Sequence, residues 1–428
     1  MALLLSSKTL HAATISTLYK HITIPHSRIY KKFLGNITAH PSLGTIVRRL
    51  DFSHFNPGTI FSTASERQQT QNLTAETLMQ CFALTPSLHE FLAQEHVEDD
   101  LSGEVLRTLF TGMPHMRAID LCGCTSAKFK DAISSTLLSR WPATLSLTRL
   151  SLHKCMTVPS AVFETILPRL AKLTHLDVAG TRITNAALES IPQTAKLTHL
   201  NLAKCGLLSA RTVIDFVSSH PAAASLVWLS VATDARSNQL LDVEDVTELI
   251  PALPSTLKSL SLKGSKMHVS HVEMLGPLIR HLEELSVGRC LTVEHLNELF
   301  VEDRRLGPHT LRYLDLSDLT SSDMDLGNLF GQYSMLKNKS APLEVVEITD
   351  EVIGRMTKSP QTLKRAGWVV KEFGTRAWMV RLNPARQPGD DGQRSWKMGA
   401  ESWGMRKIPV ARADVGGMYG SFMFGRKL

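Results

Sequence analysis

Apolar residues recur along most of this chain in the spacing L-x-x-L-x-L. The strings LTHLDVAGT, from Leu173, and LTHLNLAKC, from Leu197, are near copies 24 residues apart. The same spacing returns at Leu147/Leu150/Leu152, Leu226/Leu229/Val231, Leu257/Leu260/Leu262, Leu282/Leu285/Val287 and Leu311/Leu314/Leu316. Looser copies stand at Met116/Ile119/Leu121 and Leu343/Val346/Ile348, and weaker early ones at Val47/Leu50/Phe52 and Leu88/Phe91. Within each copy the alternation sends the flanking apolar residues to one face and the residue between them to the other, which is the habit of a strand.

Between copies the period changes to that of a helix. Val162, Phe163, Ile166, Leu167 and Leu170 share one helical face, as do Val243, Val246, Leu249, Ile250 and Leu253. Strand then helix, repeated at this interval, predicts an α/β leucine-rich-repeat solenoid with parallel strands on the concave side and helices on the convex side. The pattern divides the chain into an N-terminal helical cap (1–30), the repeats (31–366, with a polar surface insertion at 56–72) and a basic, aromatic C-terminal extension (367–428).

Four of the six cysteines, Cys124, Cys155, Cys205 and Cys290, stand three residues after the last apolar strand position, where a small side chain turns the backbone into the loop. They are expected to be reduced and packed, which fits a reducing compartment. The Cys122–Cys124 pair lacks the second pair that a zinc site needs.

A length of 428 residues and an apolar share of 43% allow a long, continuous repeat core. No apolar run reaches the roughly 20 residues of a membrane helix, and Leu3–Leu5 is too short for a secretory signal. A cytoplasmic or nuclear setting is expected, with an acid-free N-terminus leaving mitochondrial targeting as the lesser alternative. The net charge of +7 sits at the ends. The first fifty residues hold seven Lys/Arg and no acid, and from Lys371 onward eleven Lys/Arg face five acids. Four of the six tryptophans fall from Trp368 onward. Aromatic and basic residues together suit single-stranded nucleic acid, but no RNA-binding signature accompanies them. A cap over the last repeat, or a protein contact through Trp and Arg anchors, is the expectation.

The cysteine-bearing repeat resembles the subclass found in F-box substrate receptors. The N-terminus carries a second resemblance: Leu4-Leu5, then Ser7-Lys8, a helical run, and Leu18-Tyr19 just before the repeats are similar to the second half of an F-box. The first half, with its Leu-Pro, is absent from this sequence. The resemblance implies docking to a Skp adaptor and cullin ligase by the N-terminal helix, and presentation of a protein substrate by the repeats. The alternative is a repeat scaffold with no ligase link, its ends serving only as caps. A small-GTPase activator is a third reading, though such proteins tend to an acidic tail and this one is basic.

No sequence motif for an enzyme is present: no Walker loop, HExxH or G-x-S-x-G. The expectation is a binding protein without cofactor or metal. Its surface is read from the repeat: the second x of each L-x-x-L gives Arg149, His175, His199, Trp228 and Tyr313, and the x before the last apolar residue gives Asp177 and Asn201. These seven are the expected partner-binding residues, projecting from the strands around a tryptophan anchor.

Overall fold

The structure, a computed structural model, describes residues 7–382 except 54, 56–71, 94, 139, 234–238, 301–306, 321–323, 325, 338–339, 350–351, 353–359 and 374–375. Beyond 382 it describes only 395–396, 410–412 and 418–419, which form a small antiparallel sheet. The insertion expected at 56–72 lies outside the described residues but for Asn72. Two compact units divide the chain, residues 1–195 and 196–428.

The first unit holds six three-residue strands: β1 (His21–Thr23), β2 (Arg49–Asp51), β3 (Glu90–Leu92), β4 (Ala118–Asp120), β5 (Arg149–Ser151) and β6 (His175–Asp177). Each pairs in parallel with the next. The central residues Leu50, Phe91, Ile119, Leu150 and Leu176 lie in register and are fully buried. Each such side chain contributes about 1.5–3 kcal/mol by leaving water. The degenerate early repeats are filled by aromatic rings, with Phe52 5.8 Å from Tyr30 and 5.6 Å from Phe91. Where the sequence places the first strand at Val47–Phe52, the structure adds β1 ahead of it, inside the expected cap. Ile24 N–H donates to Asp51 (2.8 Å), and Lys20 C=O accepts from Arg48 (2.9 Å).

Helices between the strands start where a short polar side chain can take up an orphan N–H. Ser126 caps the helix Ala127–Ser135 through Phe129 N–H (3.2 Å), and Thr184 caps Asn185–Glu189 through Ala187 N–H (3.2 Å).

In the second unit, β7 (His199–Asn201), β8 (Trp228–Ser230), β9 (Ser259–Ser261), β10 (Glu284–Ser286), β11 (Tyr313–Asp315) and β12 (Val345–Ile348) are again parallel and in chain order. The parallel run then ends on a hairpin, β13 (Trp368–Phe373) and β14 (Arg376–Arg381), with β14 antiparallel to β12. The last strand of an open sheet presents unpaired backbone groups, and the hairpin takes them up. This corrects the extension expected from 367: residues 368–381 belong to the sheet. Trp368 and Trp378 are fully buried, and Trp368 Nε1–H donates to Leu336 C=O at 2.6 Å. The Arg381 guanidinium lies 4.4 Å from the Trp368 ring centroid and donates to Leu343 C=O (2.7 Å) and Ser340 Oγ (2.8 Å).

Candidate partner-binding faces

In the first unit the outer strand face carries Arg49, Glu90, Ala118, Arg149 and His175 side by side in register. The short Ala118 side chain lets Arg149 reach past it to Glu90, with which it forms an ion pair. Glu90 also accepts from Arg49 (3.2 Å), which in turn reaches Asp51 (3.2 Å). Glu90 and Arg149 remain 21% and 24% exposed, so each pair is worth about 0.5 kcal/mol. The network orients these groups more than it holds the fold. Glu90 and Arg49 were not singled out from the sequence. The offset that yields Arg149 and His175 also yields Glu90, two residues after Leu88.

At the rim, before the strands begin, Arg48, His89, His115 and Arg117 gather. Burial chiefly, and then the charges of Arg48, Arg117 and His115, hold the His89 imidazole below its ordinary pKa.

Asp177 and Asn201 do something the sequence reading missed. The Asp177 carboxylate accepts the N–H of Ala179 (3.1 Å) and meets His153 Nδ1 (3.1 Å). Asn201 Oδ1 accepts from Ala203 N–H (3.2 Å). Asp51, Asp120 and Asp315 accept the N–H two residues on in the same way, at 2.9, 3.0 and 2.9 Å. One residue beyond the N–H held by Asp120, Asp177 and Asn201 the backbone turns left-handed, at Gly123, Gly180 and Lys204. The acid or amide thus fixes the turn out of these strands, and Asp177 and Asn201 are buried.

The second unit corrects the expected tryptophan anchor. Trp228 is 2% exposed, its ring stacked on His199 at 6.4 Å, and Tyr313 is wholly buried with its hydroxyl on Glu347. Ser259 donates to Glu284 (2.7 Å) in the same row. These large side chains do not project into solvent: they lie covered on the outer face. Arg149 and His175 are brought together by β5 and β6, and His199 and Trp228 by β7 and β8.

Of the cysteines, Cys124, Cys155 and Cys205 are buried, and the Cys155 thiol donates to Leu121 C=O of the preceding repeat (3.1 Å). Cys290 is exposed, against expectation. Its own φ is left-handed at 74°, one residue later in the repeat than at the other turns, and this extra step puts the thiol outside.

At the N-terminus Leu4 and Leu5 lie outside the described residues. Ser7 caps the helix Lys8–Lys20 by accepting Leu10 N–H (3.1 Å). Leu10 and Leu18 on this helix are exposed, and Tyr19 is held through its hydroxyl by Asn36. Among the described residues no cluster of His, Cys, Asp or Glu is placed to hold a metal ion, and no helix is long and apolar enough to cross a membrane.

The family described as Leucine Rich repeat matches residues 169–191, the stretch holding β6 and the following helix. Over 278 residues the chain is 26% identical to an F-box protein of Saccharomyces cerevisiae, covering 59% of this chain. This is a leucine-rich-repeat protein related to F-box proteins. The chain spans 34% of the length of that F-box relative. Two solved structures are loosely similar to this repeat protein. One is the complex of Rad7 and Elc1 in yeast (15% identity, TM-score 0.42, 72% of this chain and 79% of that one). The other is the leucine-rich-repeat-containing protein LegL7 from Legionella pneumophila (18% identity, TM-score 0.35, 59% of this chain and 79% of that one).

Proposed function

We propose that this repeat protein is a substrate-recognition adaptor of a ubiquitin ligase. In this reading the helix Lys8–Lys20 docks a Skp-type adaptor and the outer strand faces hold a target protein. The relationship to an F-box protein carries the ligase link. The N-terminal helix supports the docking role, because Leu10 and Leu18 are exposed on a helix that leads directly into β1. On the target side, the part-exposed Arg149 and His175 are the residues suited to contact, with Glu90 and Arg49 beside them, whereas Trp228 and Tyr313 serve packing.

The test is capture of a purified Skp-type adaptor by the full chain and by Leu10→Asp/Leu18→Asp. Loss of about 1.4 kcal/mol or more, a tenfold weakening, is expected with no change in unfolding temperature. If the full chain captures no adaptor, the ligase reading is wrong. Equal capture by the double variant would move the docking site off this helix.

A further inference from the structure

The edge of the first unit's sheet at which the strands begin carries one sign of charge. The five stretches that lead from a helix into β2–β6 hold Arg48, His89, His115, Arg117, Arg140 and Lys172, and no acid. Backbone bonds set four basic residues side by side along this edge. Arg48 N–H donates to Lys20 C=O (2.9 Å), His89 N–H to Arg48 C=O (2.8 Å) and Arg117 N–H to His89 C=O (2.8 Å). The next row, at the first position of each strand, adds His21, Arg49, Arg149 and His175. Two carboxylates meet these cations among the described residues: Asp51 on Arg49, and Glu90 shared between Arg49 and Arg149.

The cations nearest the edge stay uncompensated. Arg48 donates to the carbonyls of Thr45 (2.7 Å) and Val47 (3.2 Å), which fix the guanidinium and leave its charge in place. Lys20, Arg117 and Lys172 are exposed, and among the described residues none of them meets a carboxylate. His89 sits among like charges, its ring 6.0 Å from that of His115. Burial, and then Arg48, Arg117 and His115, keep it below its ordinary pKa against the opposite pull of Glu90. The excess of positive charge is local, because the run out of β3 at the opposite edge holds Glu95, Glu98, Asp99 and Asp100.

We propose that this edge takes an acidic segment of the target, an extended run of Asp and Glu laid across the strand starts from Arg48 to Lys172. Crossing from β2 to β6 is four strand spacings, about 19 Å, which about six extended residues span. Each carboxylate relieves like-charge repulsion as it gains a partner, and a field of one sign speeds encounter with an anionic chain. A peptide fits better than a nucleic acid. The two rows hold no Phe, Tyr or Trp on which bases could stack. Glu90 also interrupts the cations where a continuous phosphate backbone would have to pass.

This edge is a target site only on the adaptor reading above, but its test uses no adaptor, so the two fail separately. Fluorescence anisotropy of labelled hexaglutamate is followed as the full chain is added at low salt. Saturable binding that fades as salt rises is expected. Arg117→Glu/Lys172→Glu, which reverses two exposed charges of the edge, should weaken it at least about fivefold. Lys130→Glu/Arg182→Glu makes the same change in net charge on exposed side chains away from the edge, beside Met156 and Ser160. Its binding should stay within about twofold of the unaltered protein. An unchanged unfolding temperature shows that both variants are folded. No saturable binding, or equal binding by the two variants, overturns the proposal. So does a labelled oligothymidylate of equal length that binds more tightly than hexaglutamate, which would make the edge a nucleic-acid site. Adaptor capture retained beside any of these failures leaves the ligase reading standing, and its loss beside intact hexaglutamate binding strikes that reading alone.

Discussion

Replacing Trp368 by alanine should unlock the C-terminal end of the second unit. The indole is fully buried, and a buried tryptophan removes about 200 Å² from water, worth about 5 kcal/mol as an upper bound. Two specific contacts go with it: the Nε1–H bond to Leu336 C=O (2.6 Å) and the Arg381 guanidinium 4.4 Å from the ring centroid. Partial collapse of the cavity offsets some of this, so Trp368→Ala is expected to cost about 4 kcal/mol. Trp368→Phe keeps most of the ring and strands the Leu336 carbonyl, for about 1–2 kcal/mol. Repeats stabilise one another mainly through nearest neighbours, so the loss should be local. Hydrogen exchange should show β12 and β14 deprotected first, while β8 keeps its protection in Trp368→Ala. Urea unfolding followed at the same amides supplies the magnitude. A shift below about 1 kcal/mol in Trp368→Ala, against the value expected for burial, would refute the clasp. So would unchanged protection at β12.

Other substitutions test the remaining parts. Asp177→Asn should cost under about 1 kcal/mol, because its amide oxygen still accepts from Ala179 as Asn201 does from Ala203, whereas Asp177→Ala should cost about 2 by orphaning a buried N–H; equal losses in chemical denaturation would discard the turn-locking role. Thiol labelling of the native protein should find Cys290 fast and Cys81, Cys122, Cys124, Cys155 and Cys205 slow until denaturation; rapid labelling of Cys155 would contradict its bond to Leu121. Burial, then the charges of Arg280 and Arg381, push His309 down to about 4. Its folded pKa is therefore below its unfolded value of about 6.5, so its contribution is complete above pH 6.5 and is lost as pH falls from there to 4, by about 3 kcal/mol at most. His309→Phe, facing the Phe300 ring at 5.1 Å, should flatten that acid slope in pH-dependent unfolding, and an unchanged slope would clear His309 of the role. Trp228→Ala should lower stability by about 3 kcal/mol because the ring is packed; a thermal midpoint equal to that of the unaltered protein would restore it as a surface anchor.

The repeat was legible because its signal is redundant: an apolar triplet at fixed spacing recurs, and each copy reports the same inward face. β1 is hard to read from the sequence because a three-residue strand holds only Ile22, with Ile24 just after it, and the triplet is incomplete. The closing hairpin breaks the repeat interval, so a search by period ends one element too soon. The turn-locking role of Asp51, Asp120, Asp177, Asn201 and Asp315 was present in the sequence as a polar residue at constant offset. At Asp177 and Asn201 the pattern suggests recognition instead, because it gives the direction of a side chain but not what its oxygen accepts. Cys290 shows the converse, where the same offset gives a different environment once the left-handed residue moves by one.

On the proposed reading, what the first unit takes as a target follows from how weakly its outer charges hold one another. Glu90 serves both Arg49 and Arg149, and all three remain part-exposed, so each pair contributes about 0.5 kcal/mol and exchanges with solvent easily. A partner carboxylate can therefore take Arg149 from Glu90 at little cost and gain a bidentate contact in return. Such a contact forms at the rim of an interface and acts more on encounter than on lifetime. On the proposed reading, Arg149→Ala should slow target association and flatten its salt dependence while leaving dissociation nearly unchanged. Arg149→Lys should recover the charge but not the planar fork, and so restore the association rate without the full affinity. A target whose binding to Arg149→Ala keeps the salt dependence of the unaltered protein is held somewhere else on the chain.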